Sequence, residues 1–336
     1  MREITIRKQN AEQRLDKFLR RYLPEAENGF LYKMLRKKNI KLNGQKASGR
    51  ELLREGDVIQ LFFAEETLKK FMGEKEDALQ AKPLPEKWIL YQDSRMLAVN
   101  KPAGLLSQPS ASGEDSLVEE LRAYLLTDGG MTQEDFRNYR PGVVNRLDRN
   151  TSGLVLAAKT LDAAQALSRL IRERNVEKYY LAAVCGSMRE ERTVRAWLKK
   201  DEASNQVEVS GRDFPGAAEI VTGYEPLEHY RFRGQDYTLL KVRLVTGKTH
   251  QIRAHLAYIG HPVAGDVKYG RYSVNAELKK QTGFRRQALH AWKIVFPELP
   301  ELPALSGISG RTLTAGLPDD FQRLRRLLSG SGEEIT

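Results

Sequence analysis

Cysteine is almost absent from the sequence, and long apolar runs are absent altogether. Cys185 is the single cysteine, so an intramolecular disulfide and a zinc site built from several thiolates are both excluded. No apolar stretch approaches the ~18 residues of a membrane-spanning helix. The first residues, MREITIRKQN, contain no apolar core of a secretory signal. We therefore expect a cytoplasmic protein with no membrane partner.

The sequence also contains no motif for a metal or nucleotide cofactor. There is no H-E-x-x-H pattern and no glycine-rich phosphate loop. His250 and His255 are five positions apart, which places them about 140° apart around a helix rather than on one face. We expect a protein that needs neither a metal nor any other cofactor.

Positive charge, in contrast, is present in excess. Lysine and arginine number 55 against 44 acidic residues, which gives a formal net charge of +11 and a pI of about 9.5. Such an excess favours a polyanionic partner, with nucleic acid first and an anionic membrane surface second. The length of 336 residues predicts about two domains at the usual ~150 residues each, and no oligomeric state is indicated.

Residues 1–65 have the pattern of a small α/β module that binds RNA. Two short amphipathic helices precede a hairpin at Asn43-Gly44 and a further strand. From Gly29 to Arg50 the sequence has seven basic residues and no acidic one. Such a run is usually a solvated helix face, but its concentration on one small unit suits contacts with phosphates. The candidate RNA-binding residues of this module are Lys33, Arg36, Lys37, Lys38 and Lys41.

Composition divides the rest of the chain into a linker, a large domain and a tail. Residues 66–86 are rich in lysine and glutamate and contain two prolines near their end, so we expect a flexible or semi-extended linker. In residues 87–328, short apolar strands outnumber helices and often follow one another, which predicts an α+β domain with a largely antiparallel sheet. Residues 329–336 are expected to form a flexible tail.

The stretch NRLDRNTSG, from Asn145 to Gly153, is the strongest candidate for a catalytic site. It places Asp148 between Arg146 and Arg149, shortly before an apolar run, LVLAA, that predicts a buried strand. Neighbouring positive charge favours the ionised carboxylate, which can act as a nucleophile or as a base. The alternative is an ordinary turn, because Asp, Asn, Ser and Gly are the residues that build turns.

Seven short segments of the large domain occur in a characteristic order. They are NKPAG, NRLDRNTSG, KYYLA, TGKTHQIR, GHPVAGD, ALHAW and GLPDDF. Together they resemble the pseudouridine synthases of the RluA/RluC/RluD type over about residues 86–325, and the second and fourth segments are the most specific. Ahead of them, RLDKFL, a basic helix, KLNG and EGDVI resemble the S-four RNA-binding domain, named after a ribosomal small-subunit protein.

The resemblance implies a pseudouridine synthase fold, in which a mixed, largely antiparallel sheet has flanking helices, and it implies roles for four residues. Asp148 matches the catalytic carboxylate, and Arg253 matches the arginine that pairs with it. Tyr180 matches the tyrosine that lies against the flipped base. Arg146 matches the arginine that enters the RNA stack when the uridine is extruded.

Each of these roles has a plainer alternative. Arg253 could be a helix-surface arginine, Arg146 a phosphate contact and Tyr180 a packed strand residue. One departure from the family pattern also stands out, because the family commonly has histidine where this chain has Asn145. Asparagine is always neutral, so the role of this position in RNA contact or loop geometry is left open.

The resemblance implies an isomerase that converts specific uridines of large-subunit (23S) ribosomal RNA to pseudouridine. The reaction involves no net redox change and consumes nothing, so it requires no cofactor. Two alternatives are the same reaction on transfer RNA and a non-catalytic RNA-binding protein that assists ribosome assembly. Asp148 argues against the second, because a carboxylate in a phosphate-binding cleft would repel the ligand of a pure binder.

Overall fold

A computed structural model of the chain describes residues 1–72, 81–110, 115–201 and 206–330. Within these ranges the chain forms one small sheet near the N-terminus and one large sheet that accounts for most of the rest. No helix in these ranges is long and apolar enough to cross a membrane. The predicted α+β fold with a largely antiparallel sheet is confirmed.

The N-terminal module is a four-stranded sheet covered by helices. Its elements are β1 (Arg2–Thr5), α1 (Leu15–Tyr22), α2 (Asn28–Arg36), β2 (Ile40–Leu42), β3 (Gln45–Lys46), β4 (Val58–Leu61) and α3 (Glu65–Met72). The strands follow the order β1-β4-β2-β3. Asn43 and Gly44 both have positive φ, 50° and 75°, as a two-residue hairpin turn of this type requires. Leu15, Phe18 and Leu19 of α1 are fully buried, as their helical spacing predicts.

The expectation of a flexible or semi-extended linker over residues 66–86 is wrong at its start, where the chain is helical. Helix α3 occupies the first part because Leu68, Phe71 and Met72 form an apolar stripe that packs on the N-terminal core. At the far end, Leu84 is buried in the core of the large domain. Residues 73–80 of the expected linker, and residues 331–336 of the expected tail, lie outside the described residues.

The large sheet carries the catalytic candidate near its middle. Its strand order is β11-β10-β12-β13-β9-β14-β8-β6-β5, with β15 on β14 and β7 on β8. The strands are β5 (Ile89–Gln92), β6 (Met96–Lys101), β7 (Gly142–Val143), β8 (Ser152–Ala158), β9 (Glu177–Cys185), β10 (Arg192–Asp201), β11 (Gln206–Ser210), β12 (Ala218–Phe232), β13 (Gln235–Leu244), β14 (Leu289–Val295) and β15 (Thr312–Thr314). Among these described strands, only β8 and β14 pair in parallel.

Helices flank this sheet and close its ends. They are α4 (Leu117–Thr127), α5 (Gln133–Asn138), α6 (Leu161–Arg172), α7 (Gln251–Tyr258), α8 (Tyr272–Thr282) and α9 (Asp319–Ser329). Helix α6 begins just after Thr160, and α7 begins just after the TGKTH turn. Helix α1 of the N-terminal module lies against α5, and the turn at Lys8–Asn10 lies against α6. The RNA-binding candidate is therefore in contact with the large domain.

Strand β8 explains how the catalytic candidate is held. All seven of its residues are buried, which confirms the strand predicted after the NRLD stretch. At its start, Gly153 has a φ of 114°, and a Cβ at this position would lie 2.2 Å from the carbonyl oxygen of Ala291. Only glycine fits this crossing with β14. The backbone is therefore fixed against β14 where the loop that contains Asp148 enters β8.

Candidate active site

Asp148 lies on the loop between β7 and β8 and contacts a buried arginine of α7. Arg253 Nη1 donates a hydrogen bond of 2.7 Å to Asp148 Oδ2. The side chain of Asp148 is 27% exposed, whereas that of Arg253 is 7% exposed. Because a single guanidinium nitrogen contacts a single carboxylate oxygen, Oδ1 of Asp148 is not used by this ion pair. The predicted pairing of Arg253 with the candidate acid is present.

A second carboxylate holds the other edge of the arginine. Asp266, which is fully buried, accepts from Arg253 Nε at 2.7 Å and from Nη2 at 3.0 Å. It also accepts from the backbone N–H groups of Lys268 and Tyr269. Burial by itself would raise the pKa of Asp266, but the hydrogen bonds and charge of Arg253 outweigh burial and lower this pKa. Asp266 therefore fixes the guanidinium with Nη1 directed at Asp148.

The backbone on either side of Asp148 is bonded to a neighbouring loop. Ser107 Oγ donates to the carbonyl of Leu147 at 2.8 Å and accepts from the N–H of the same residue at 3.0 Å. The N–H of Gly104 donates to the carbonyl of Arg149 at 2.8 Å. Because bonds of this kind flank Asp148 on both sides, the loop has little freedom to move its carboxylate.

A buried lysine from the NKPAG segment supports the same loop. Lys101 at the end of β6 is fully buried, and its Nζ donates to the carbonyls of Pro102, Leu105 and Arg149 at 2.8, 2.8 and 3.1 Å. Burial lowers the pKa of Lys101 to about 7, while the nearby charge of Asp148 opposes this shift. Three carbonyls match the three N–H donors of the ammonium form, so Lys101 joins two loops at one buried point.

Tyr180 lies in β9 and is 8% exposed. Burial, and after it the negative charge of Asp148, raises the pKa of its hydroxyl well above the ordinary value. The phenol is therefore neutral. Of the three residues predicted to be catalytic, the structure pairs Asp148 with Arg253 and places Tyr180 in a buried strand.

Asn145 occupies the position where the family commonly has histidine. Its Nδ2 donates to the carbonyl of Leu154 at 3.2 Å, and its Oδ1 accepts from the N–H of Leu156 at 2.7 Å. The side-chain amide thus pairs with the edge of β8 as a neighbouring peptide group would. Asn145 holds the start of the catalytic loop against this strand.

Comparisons with known proteins place this site in a family. Residues 95–258 match the family described as RNA pseudouridylate synthase. A ribosomal large subunit pseudouridine synthase D from Xanthomonas campestris pv. campestris is 32% identical to the chain, and the match covers 98% of this chain and 92% of the relative. The chain belongs to the RNA pseudouridine synthase family. The predicted family and the predicted isomerase activity are thereby confirmed.

Two further similarities agree with this membership. A ribosomal large subunit pseudouridine synthase C from Vibrio parahaemolyticus is 32% identical to the chain, and the match covers 87% of this chain and 87% of the relative. Among solved structures, human RNA pseudouridylate synthase domain containing 4 superimposes with a TM-score of 0.55 at 23% identity. That match covers 72% of this chain and 93% of the human chain, and it supports the pseudouridine synthase fold.

The candidate RNA-binding residues of the synthase lie on its surface. Arg146 is exposed beside Asp148, and its Nη1 is 3.4 Å from Gln108 Oε1. The basic face of the N-terminal module consists of five residues in helix α2, just after it, and in strand β2, and none of them is a partner of Asp148 described above. Four of the five are exposed, and Lys41 is half-buried with its Nζ 5.2 Å from the ring centroid of Phe62. The residues of the basic face are Lys33, Arg36, Lys37, Lys38 and Lys41.

Some residues of the synthase site were not singled out from the sequence. Asp266 and Lys101 lie inside quoted segments, GHPVAGD and NKPAG, but their burial and partners come from tertiary packing. Ser107 is in no motif, and only the fold brings it to Leu147. Within the described residues, no group of three or more His, Cys, Asp or Glu side chains could hold a metal ion.

Proposed function

We propose that this synthase converts uridine to pseudouridine in large-subunit ribosomal RNA, with Asp148 as the reacting carboxylate. The observation that carries the proposal is the geometry of this side chain. Arg253 holds one oxygen of Asp148 from the buried side, while the other oxygen is free of that ion pair in a partly exposed position. A carboxylate used only as a structural link would be expected to have both oxygens bonded and buried.

The reaction exchanges one bond and one proton within the nucleotide. The bond between the ribose and a uracil nitrogen breaks, the base turns, and a bond forms between the sugar and a ring carbon, which loses its proton while the freed nitrogen gains one. Asp148 acts at the uridine through its free oxygen, while Arg253 stabilises the ionised carboxylate and fixes its direction. Nothing is oxidised or reduced overall, so the proposed mechanism uses protein groups alone.

The target nucleotide must leave the RNA stack before Asp148 can reach it. Extrusion of a paired base costs a few kcal/mol. Arg146, exposed beside Asp148, is in a position to fill the vacated space. Tyr180 offers an aromatic face for the extruded base, and such stacking contributes ~1–3 kcal/mol. These roles for Arg146 and Tyr180 form part of the proposal.

The substrate class rests on the relatives and on the basic face. The relatives described above are named as ribosomal large subunit pseudouridine synthases, and they match this chain over both its N-terminal module and its large domain. We propose that the basic face of an S-four-like module, residues 1–65, contacts ribosomal RNA through phosphates. A cytoplasmic location follows from that substrate.

The decisive experiment compares the synthase with Asp148→Asn on transcribed large-subunit ribosomal RNA. We expect the variant to bind the RNA with similar affinity and to make no pseudouridine, since asparagine keeps the shape of the side chain without its charge. Pseudouridine is mapped on the RNA by chemical modification and primer extension. Equal product from both proteins would overturn the role of Asp148.

The same assay separates the alternative functions. Transfer RNA supplied as the only substrate tests the second target, and product there without product on ribosomal RNA would replace the proposed substrate. A protein that assists ribosome assembly without catalysis would give no product on either RNA. Asp148 favours the enzyme, because a partly exposed carboxylate repels phosphates and a pure RNA binder has no need for one.

A further inference from the structure

His250 lies beside the free oxygen of the proposed catalytic carboxylate. Its Nε2 is 4.0 Å from Asp148 Oδ1, whereas Arg253 contacts Oδ2. We propose that His250 is a positioning residue that fixes Asp148 from the side opposite Arg253, through an N–H at Nε2 that Tyr269 holds in place. This inference rests on the proposed role of Asp148, and it adds a second residue that orients this carboxylate.

The hydrogen bonds of Tyr269 set the tautomer of His250. The backbone N–H of Val207 donates to Tyr269 Oη at 3.2 Å, so the hydroxyl oxygen already accepts a bond. We assign the hydroxyl proton to the contact with His250 Nδ1, which lies 2.8 Å away, because this leaves the oxygen with one accepted bond and one donated bond. A neutral imidazole that accepts at Nδ1 carries its proton on Nε2. The donor nitrogen of His250 therefore faces Asp148 Oδ1.

The surroundings of His250 favour its neutral form. Burial is the largest cause that lowers the pKa of His250, and the charges of Arg253 and Lys268 lower it further. The carboxylates of Asp148 and Asp266 act in the opposite direction but do not prevail. The charged and titratable groups around the ring are thus Asp148, Arg253, Asp266, Lys268 and Tyr269. A neutral ring is the form in which Tyr269 can select the tautomer.

The backbone at His250 supports a functional reading of its position. His250 has a φ of 52°, in the left-handed region that residues other than glycine rarely adopt. The adjoining Gln251 holds this conformation, because its Oε1 accepts from the N–H of Lys248 at 3.1 Å and from Thr246 Oγ1 at 2.9 Å. Strained positions of this kind persist where the surrounding structure enforces them, often at active sites.

The 4.0 Å gap between His250 and Asp148 is longer than a hydrogen bond. It can shorten when bound RNA excludes water from the cleft, as catalytic bonds often do on substrate binding. With both donors engaged, Asp148 would be held between Arg253 and His250 in a single orientation, and Oδ1 would keep a second lone pair for the uridine. Without His250, the carboxylate could rotate about its one fixed oxygen.

The test measures the single-turnover rate at saturating ribosomal RNA, together with RNA affinity. We expect His250→Phe, which removes both ring nitrogens, to lower the rate by about ten- to a hundred-fold through misorientation of the carboxylate. The Kd for RNA should change by less than about two-fold. His250→Gln places an amide N–H near the position of Nε2, and it should recover most of the rate.

Tyr269→Phe provides an independent variant that preserves packing. It removes the hydroxyl that selects the tautomer but keeps the ring on which Arg253 lies, 5.3 Å from the ring centroid. We expect a several-fold slower rate with unchanged RNA affinity. The matched control is Tyr272→Phe, since Tyr272 is 89% exposed, and it should behave like the unmodified protein. If His250→Phe does not fold, His250→Gln and the two tyrosine variants decide the matter.

Three results would overturn the inference. They are a normal rate in His250→Phe, a rate in His250→Gln no better than that of His250→Phe, and a rate in Tyr269→Phe equal to that of Tyr272→Phe. A purely structural histidine would instead change the melting temperature or the RNA affinity and leave the single-turnover rate of the folded protein intact. Asp148→Asn keeps the two proposals distinct. An inactive Asp148→Asn with a fully active His250→Phe removes only the role of His250.

Discussion

The buried side chains of Lys101, Arg253 and Asp266 near Asp148 all have specific partners at hydrogen-bond distance, whereas most of the basic face of the N-terminal module is open to solvent. Arg253 spans two carboxylates, and Lys101 bonds three carbonyls. Among the residues that the structure describes, no ion pair is found for any member of the basic face. The same kinds of side chain thus serve two purposes within one chain.

The difference follows from what each region must recognise. A carboxylate that acts on one atom of one nucleotide needs a single orientation, so its neighbours are buried and their hydrogen bonds are satisfied. A surface that attracts a phosphate backbone needs charge density more than geometry, because the interaction depends largely on the release of counterions. We therefore expect the carboxylate region to be sensitive to small changes and the basic face to tolerate them.

Acidification should have the largest effect on stability, chiefly through two buried histidines of the large domain. Burial lowers the pKa values of His255 and His290 to about 4. Since the unfolded chain binds these protons near pH 6.5, unfolding takes up protons between pH 6.5 and 4, and stability falls as the pH is lowered through this window. Each histidine contributes on the order of 3 kcal/mol to this loss.

Urea unfolding at pH 7 and pH 4.5, followed by tryptophan fluorescence, checks this expectation. All three tryptophans, at positions 88, 197 and 292, lie in the large domain, and the N-terminal module contains no histidine. His290→Gln should show a shallower pH dependence than the unmodified protein. His229→Gln, at an exposed histidine, is the control and should keep the full slope. Equal slopes in all three proteins would contradict the argument.

The next largest effect is expected from Arg253→Lys. Lysine lacks the planar fork of donors, so it cannot bond both oxygens of buried Asp266 from one edge while it contacts Asp148 from the other. Breaking a buried pair of this kind costs about 3–5 kcal/mol. Pseudouridine formation should fall at least about 100-fold, because Asp148 loses its fixed donor.

Arg243→Lys is the matched control for that variant. Arg243 pairs with Glu177 on the exposed side of β13, where its side chain is 54% exposed. Exposed pairs contribute ~1 kcal/mol or less, so both stability and rate should stay near normal. Similar losses in Arg243→Lys and Arg253→Lys, measured by urea unfolding and product formation, would show that the contrast between buried and exposed pairs is mistaken.

A smaller loss is expected from Lys101→Met, which keeps the length of the side chain but leaves three carbonyls without their donor. We expect destabilisation by about 2–4 kcal/mol, since each unsatisfied buried group costs roughly 1–3 kcal/mol and the loop can relax. The single-turnover rate should fall as well. Lys159→Met removes another buried lysine at the far end of β8 and should lower stability without changing the rate of the folded protein.

The smallest effect should come from the basic face. The double change Lys33→Gln and Lys37→Gln should leave the melting temperature and the rate at saturating RNA unchanged. RNA affinity should fall, and the slope of log affinity against log salt should decrease by about 0.7–0.9 for each phosphate that a lysine no longer neutralises. The same charge change at Lys279 and Lys280, which are exposed on α8, is the control. Identical slopes in the two double variants would exclude the basic face from RNA binding.

The sequence predicts the elements of this protein better than it predicts their contacts. The buried strand β8, the hairpin at Asn43-Gly44 and helix α7 all follow from local periodicity and turn chemistry. Helix α3 was missed because its lysine and glutamate content hid an apolar stripe at positions 68, 71 and 72. Composition averages over a segment, whereas the spacing of a few apolar residues decides whether it packs.

The catalytic candidates could be named from motifs, but their support could not. Asp148 and Arg253 belong to segments specific enough to suggest a pair 105 positions apart. Asp266 lies only 13 positions from Arg253. Nothing in the sequence around it indicates that it is buried or that it accepts bonds from Nε and Nη2 of the guanidinium. The second oxygen of Asp148 and the nitrogen of His250 become neighbours only once the sheet has brought α7 to the catalytic loop.

The parallel pairing of β8 with β14 has a consequence for the order in which the protein folds during its synthesis. Ser152 Oγ lies 2.9 Å from His290 Nδ1, across 138 positions of the chain. Chains emerge from the ribosome N-terminus first, so the whole N-terminal module leaves the ribosome well before the strand that completes the carboxylate region. The site around Asp148 is therefore assembled only near the end of translation.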